Sequence, residues 1–195
     1  MTFGQSIKTC FRKYAVFKGR ACRSEFWWFT LFTILVSIAL DFLLGLFMIP
    51  LIFKGQFNAE SINSVSTPFY IVSLVVGLAL LLPTLGVLVR RLHDRGKSGW
   101  WVGILYIVEA IFVALSLVAG LTLFAIGENP ANTADDIPFG MLFLVALLAI
   151  LLFAYAILLL VWCCQRGTIG YNKYGPDPLA AEEENVMDVE LKNLN

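Results

Sequence analysis

The sequence predicts an all-α integral membrane protein of four transmembrane helices, N-in/C-in, with an N-terminal amphipathic helix in the membrane interface, and three observations predict it. Of 195 residues, 59% are hydrophobic and 14% charged, and the mean hydropathy is +0.80. Soluble domains run at roughly 45–50% apolar and about 25% charged. Four apolar windows, 26–53, 69–89, 100–126 and 139–164, are each long enough to cross a hydrocarbon core of about 30 Å as a helix. Finally, thirteen of the 14 Lys and Arg lie before the first window, between the second and third, or after the fourth, with Lys54 alone on the other side. The positive-inside rule then puts both termini and the 90–99 loop in the cytoplasm. Basic residues this dense beside a membrane attract anionic lipid.

The first 25 residues are polar and basic, which does not fit a cleavable signal peptide. Phe3, Ile7, Cys10, Phe11 and Tyr14 recur at intervals of three and four, with Lys8, Arg12 and Lys13 elsewhere on the wheel. An interfacial helix fits this pattern, apolar face in the acyl boundary; a short soluble helix packed on cytoplasmic loops is the alternative. Gly19 permits the bend toward the first span, and Ser24 and Glu25 suit a helix start, where acceptors satisfy free N–H groups. Trp27 and Trp28 fit an aromatic belt.

Within the first span Thr33, Ser37, Asp41 and Gly45 recur every four residues, a small polar ridge that belongs against another helix. Pro50 and Lys54-Gly55 are expected to end this span, with a polar outer loop running to Pro68. The second span carries Gly77, Pro83 and Gly86, so a bend is expected, the carbonyl freed by proline being satisfied by a neighbour. In the third, Gly103, Ala110 and Ala114 form a face for close packing, and Glu109 is intramembrane. An acidic turn, 127–138, leads to the plainest span, 139–164. The cytoplasmic segment 165–178 is rich in turn formers and is either a defined or a flexible loop; 179–195 is acidic and expected to be partly disordered. Arg23-Ser-Glu-Phe-Trp-Trp and Lys97-Ser-Gly-Trp-Trp echo one another at two cytoplasmic boundaries, through shared origin or shared belt composition.

Three ordered motifs carry a resemblance: Gly19-Arg20-Ala-x-Arg23-x-Glu25-Phe26-Trp27, Arg90-Arg91-Leu92-His93-Asp94-x-Gly96-x-Ser98-Gly99-Trp100-Trp101, and Gly170-x-Asn172-x-Tyr174-Gly175-Pro176-Asp177-Pro178. Together the set resembles domain of unknown function 805, the YhaH-like bacterial inner-membrane proteins, over residues 17–178. The resemblance implies a bacterial plasma membrane and no established activity, so no catalytic residue is carried over. The acidic end after Pro178 and the Cys163-Cys164 pair depart from the pattern.

All three motifs fall on the cytoplasmic side, which lets them meet. Arg20, Arg23, Arg90, Arg91 and Arg95 can present planar donor forks to a phosphate or carboxylate, with Asp94, Asn172 and Asp177 orienting them and His93 titrating near neutrality. An anionic lipid head group, or another anionic ligand, is the leading expectation; the alternative is that these residues only pin loops together. A second reading is a proton or small-ion conduit through Asp41 and Glu109, about 22 Å from Phe26 and about 13 Å from Trp100 along their helices. An unpaired carboxylate at that depth is protonated, holds a cation or lines water, unless it serves as a packing hydrogen bond. Four spans make a narrow bundle unless the protein oligomerises, and an unidentified protein partner on the cytoplasmic motifs or acidic tail is a third reading. No cofactor or nucleic acid partner is expected. Neither is an enzyme, since no Ser or Cys has an evident base and no metal set is spaced for binding; Cys10, Cys22, Cys163 and Cys164 read as reduced apolar fillers.

Overall fold

The computed structural model describes residues 1–55, 58–128 and 138–180. Its described residues form helices α1 (Phe3–Arg12), α2 (Arg23–Phe53), α3 (Ala59–Asp94), α4 (Trp100–Glu128) and α5 (Phe139–Cys164). Among these residues, four helices, α2 to α5, are long and apolar enough to cross a membrane. The chain is all-helical apart from its loops, and it divides into two units, residues 1–96 with the segment from Arg166, and residues 97–165.

In the first unit α1 opens with a capping box, Gln5 N–H donating to Thr2 Oγ1 and Thr2 N–H to Gln5 Oε1. It packs on α2 and α3. Its small residues Ser6 and Cys10 are buried, and the Ser6 hydroxyl donates to the Glu25 carbonyl at 2.6 Å. Phe3 meets Trp28, and Phe11 meets Phe29 and Phe32, edge to face at 5.8–6.0 Å. Beyond α1, the Lys13 and Val16 carbonyls lie against α3 at Gly86, where a Cβ would make ordinary contact, 3.5 Å from the Val16 carbonyl. The Tyr14 hydroxyl then donates to Ala79 O at 2.6 Å. Ala79 is the acceptor that Pro83, lacking an N–H, leaves unused, so the carbonyl expected to need a neighbour has one.

Of the expected helix ends, one holds and one is corrected. α2 ends at Phe53, as expected, and it is the Lys54-Gly55 pair that stops it: Gly55 adopts φ +62° and Lys54 N–H donates to Pro50 O, Pro50 itself lying inside the helix. The outer loop does not reach Pro68, which lies inside α3. Asn58 Oδ1 accepts Ser61 N–H at 2.8 Å to start that helix, Glu60 favours its positive end, and the Ser64 hydroxyl bonds back to Ser61 O instead of forming a turn. Phe42, Phe47, Ile71, Leu74 and their neighbours face outward, as helices solvated by lipid require.

In the second unit the Tyr155 hydroxyl donates to Trp101 O at 2.8 Å, Trp101 and Trp162 pack edge to face at 5.1 Å, and Lys97 Nζ sits 4.7 Å over the Trp162 ring. Val102, Ala119, Leu159 and Cys163 are its buried residues. Ala110 and Ala114 are exposed, so the small-residue face expected on the third span is not the α4–α5 seam. Glu109 is also exposed on α4. The acidic turn at 129–137 and the tail at 181–195 lie outside the described residues.

Candidate functional site

At one end of the first unit the three motifs meet. Gly19, at φ +90°, turns the chain so that Ala21 N–H donates to Arg90 O at 3.1 Å, which seats the first motif on the end of α3. Arg20 then projects between the other two. Its Nε donates to Asp94 Oδ1 at 2.9 Å, Nη1 to Gly170 O at 2.6 Å, and Nη2 to Thr168 O, with Asp177 at 4.0 Å. Asp94 uses its second oxygen on Arg91, one α-helical turn back on α3. Arg90 points the other way, donating from Nη2 to Glu25 Oε1 and from Nη1 to Val16 O, both at 2.8 Å.

These three arginine side chains are 1% exposed and their carboxylates 3–4%. Three guanidiniums against two fully buried carboxylates leave an excess of donors, which the carbonyls of Val16, Ala21, Thr168 and Gly170 absorb. Removing one partner from such a set strands a buried charge and costs roughly 3–5 kcal/mol.

The C-terminal segment is a defined loop. Asn172 and Gly175 bond in both directions across a tight turn, with positive φ at Gly175 and, just before the turn, at Gly170. Thr168 N–H donates to Asp94 O at 2.8 Å, and Asn172 Nδ2 donates to His93 O at 3.1 Å. Asp177 accepts from Gly170 N–H and Leu179 N–H, fixing the end of the loop. His93 stacks on Tyr174, rings 3.8 Å apart and 6° from parallel, with Nδ1 placed 3.2 Å from Gly19 O. Arg95 donates to Arg166 O. Gly167 passes so close to Asp94 that any Cβ would fall on its carboxylate.

Of the nine predicted ligand residues, Arg20, Arg90, Arg91, His93, Asp94, Arg95, Asn172 and Asp177 are thus joined to partners within this knot. Arg23 stands apart, exposed at the start of α2. Beside the buried layer is a cavity of about 300 Å³ lined by Arg23, Arg91 and Arg166, by Asp94 and Asp177, and by the 167–170 backbone. Among the described residues, the Arg23 and Arg166 side chains have no acidic partner.

Sequence reasoning missed Arg166 and Gly167; Glu25 lies in the first turn of α2 as expected, and what was missed is that it is also the counter-ion of Arg90. Glu25 could have been found as the sole acid among the six cations that precede the first span. The same carboxylate lies 3.9 Å from Cys10. Burial, reinforced by that negative charge, pushes the Cys10 thiol up to about 12. Among the described residues, no group of three or more His, Cys, Asp or Glu is placed to hold a metal ion.

Long apolar helices with outward-facing aliphatic side chains, α2 and α3 meeting a buried, ion-paired arginine layer at one end, define a polytopic α-helical membrane protein. The chain belongs to the family described as "Protein of unknown function (DUF805)", matched over residues 14–176. It is 29% identical over 167 residues to Inner membrane protein YhaH of Escherichia coli (strain K12), covering 86% of this chain and 90% of that protein. It is 26% identical to Inner membrane protein YhaI of the same strain, over 86% of this chain and 89% of the relative. Uncharacterized protein YiiR, also of that strain, is 26% identical over 83% and 84%. No solved structure matches.

Proposed function

We propose that the chain is a non-enzymatic module of the bacterial inner membrane, both termini cytoplasmic, that holds an anionic group in the cavity beside the arginine layer. The ligand chemistry is a phosphate, carried by a lipid head group or by a free small molecule. The observation that carries this reading is uncompensated charge: Arg23 and Arg166 line the cavity exposed and without an acid, while Asp94 and Asp177 are already engaged by arginines and backbone N–H groups. Arg20, Arg90 and Arg91 build the frame, and the two exposed arginines make the contact.

Other features support a lipid source. The loop beside the cavity presents Ile169 and Tyr171, 77% and 82% exposed, as an apolar tip suited to head-group depth. Phe3, Phe11, Val16 and Phe17 are exposed along and after α1, which fits an interfacial helix. The thirteen-to-one cation asymmetry supports the orientation. Cys10, buried and held as a thiol, has no nucleophilic role, in keeping with a binding module.

Native mass spectrometry of the purified protein, wild type against the Arg23→Gln/Arg166→Gln double variant, tests the reading. Phosphatidylglycerol and cardiolipin are offered beside phosphatidylcholine in one arm and inorganic phosphate in the other. Retention of anionic lipid by the wild type alone supports a head-group site; retention of phosphate alone supports a soluble ligand. Equal retention by both proteins in both arms would sink the proposal and leave the face as a docking surface for a partner protein.

A further inference from the structure

Nearer the middle of the same helix pair lies a polar site with no part in the arginine layer. A cavity of about 270 Å³ opens between α2 and α3, lined by Ser37 and Asp41 on one helix and Ser73 and Gly77 on the other, the remaining lining being aliphatic. It has room for several waters. Asp41 is the only titratable or charged side chain facing it, and α1, which also packs on these helices, contributes no residue. The Ser37 hydroxyl donates to Thr33 O, leaving its lone pairs free. Among the described residues, the Asp41 carboxylate and the Ser73 hydroxyl have no hydrogen-bond partner. A Cβ built on Gly77 meets nothing within 4 Å, so the gap is open on the α3 side.

The rise along each helix places the site independently. Asp41 is about 27 Å from Arg23, and Ser73 about 26 Å from Arg90. Both put it inside a hydrocarbon core of about 30 Å, toward the face remote from the arginine layer.

An ionised carboxylate with no partner at that depth is costly, and the serine hydroxyls that line the same space can accept toward whatever neutralises it. We infer that the Ser37–Asp41–Ser73 cavity reversibly binds one monovalent cation, a proton or Na⁺. One carboxylate with neutral hydroxyls balances a single positive charge; a divalent ion would leave one uncompensated in lipid.

Dicyclohexylcarbodiimide, which partitions into bilayers and adds to protonated carboxyl groups, is the probe, applied to the protein in nanodiscs with adducts located by peptide mass mapping. The wild type should take up label at Asp41, with occupancy that falls several-fold as the competing cation, Na⁺, is added or the proton removed. Protection by Na⁺ over choline at fixed pH identifies Na⁺; dependence on pH alone identifies the proton. Gly77→Val, whose Cβ enters open space on the cavity wall, should reduce labelling with Asp41 still present. Ser73→Ala should weaken Na⁺ protection if Na⁺ is the ion. No adduct at Asp41 at any pH, an adduct indifferent to both pH and Na⁺, or full labelling in Gly77→Val overturns the inference. The wild-type measurement decides even if a variant fails to fold.

Discussion

Helices α2 and α3 carry ionisable groups at two levels, one at the arginine end and one near mid-helix, and the two are solved in opposite ways. At one, Glu25, Arg90, Arg91 and Asp94 are buried and every charge has a partner within 2.9 Å. At the other, Asp41 faces a cavity with none among the described residues. A buried charge with its counter-ion and carbonyl ligands is a joint, useful for holding segments remote in sequence and of little use to a ligand. A charge kept bare in the same bilayer costs stability with no gain in packing, so its value has to lie in what it binds. The cavity at Arg23 and Arg166 is intermediate, with free cations standing on a frame of committed ones.

Four substitutions sharpen or break this contrast. The largest effect is expected from Asp94→Asn, which removes the carboxylate shared by Arg20 and Arg91. It should cost roughly 3–5 kcal/mol, read as a steep fall in the melting temperature of the detergent-solubilised protein or failure to accumulate in the membrane. Gly167→Ala, which drives a methyl group into that carboxylate, should cost about 1–3 kcal/mol by the same measurement. Tyr14→Phe leaves the Ala79 carbonyl unsatisfied at Pro83 and should cost roughly 1–3 kcal/mol. It should also raise hydrogen exchange locally along α3. Asp41→Asn should change stability by no more than about 0.5 kcal/mol. A loss comparable to that of Asp94→Asn would make Asp41 a structural joint and erase the contrast.

The smallest effect is chemical. With the Cys10 thiol pushed up to about 12, its thiolate fraction at about pH 8 is on the order of one in ten thousand. Maleimide at that pH should therefore modify exposed Cys164 and spare Cys10 in the folded protein, and denaturant should abolish the difference. The sign follows from burial favouring the neutral thiol: reactivity at Cys10 returns only as pH rises toward its shifted value.

Much of this was legible in the chain. The length and hydropathy of the apolar windows identify the spanning helices, because a bilayer tests only those two properties. A loop-side basic bias places the three motifs on one face, close enough to meet. The need of the Ala79 carbonyl for a donor follows from Pro83 alone. That the donor is Tyr14 does not, since 65 residues separate them and only the packing of the N-terminal segment on α3 brings them together. Pro68 misled because a proline after a serine-rich stretch reads locally as a loop end, and Glu25, rightly placed at a helix start, hid its second role, since the length of α3 and the counter-charge of Arg90 are settled by packing. Of the ligand residues, charge and motif selected the right neighbourhood, but telling frame from free donor required burial.

The Arg20 side chain also sets an order of assembly. It accompanies the first helix out of the ribosome, whereas Asp94 follows two spans later and the carbonyls of Thr168 and Gly170 only after the fourth. A nascent chain therefore carries an incompletely coordinated guanidinium through most of its synthesis, and its last loop acts as a latch. Any product truncated before that loop keeps its spans yet exposes an open socket at the membrane surface, a difference that a quality-control protease could read.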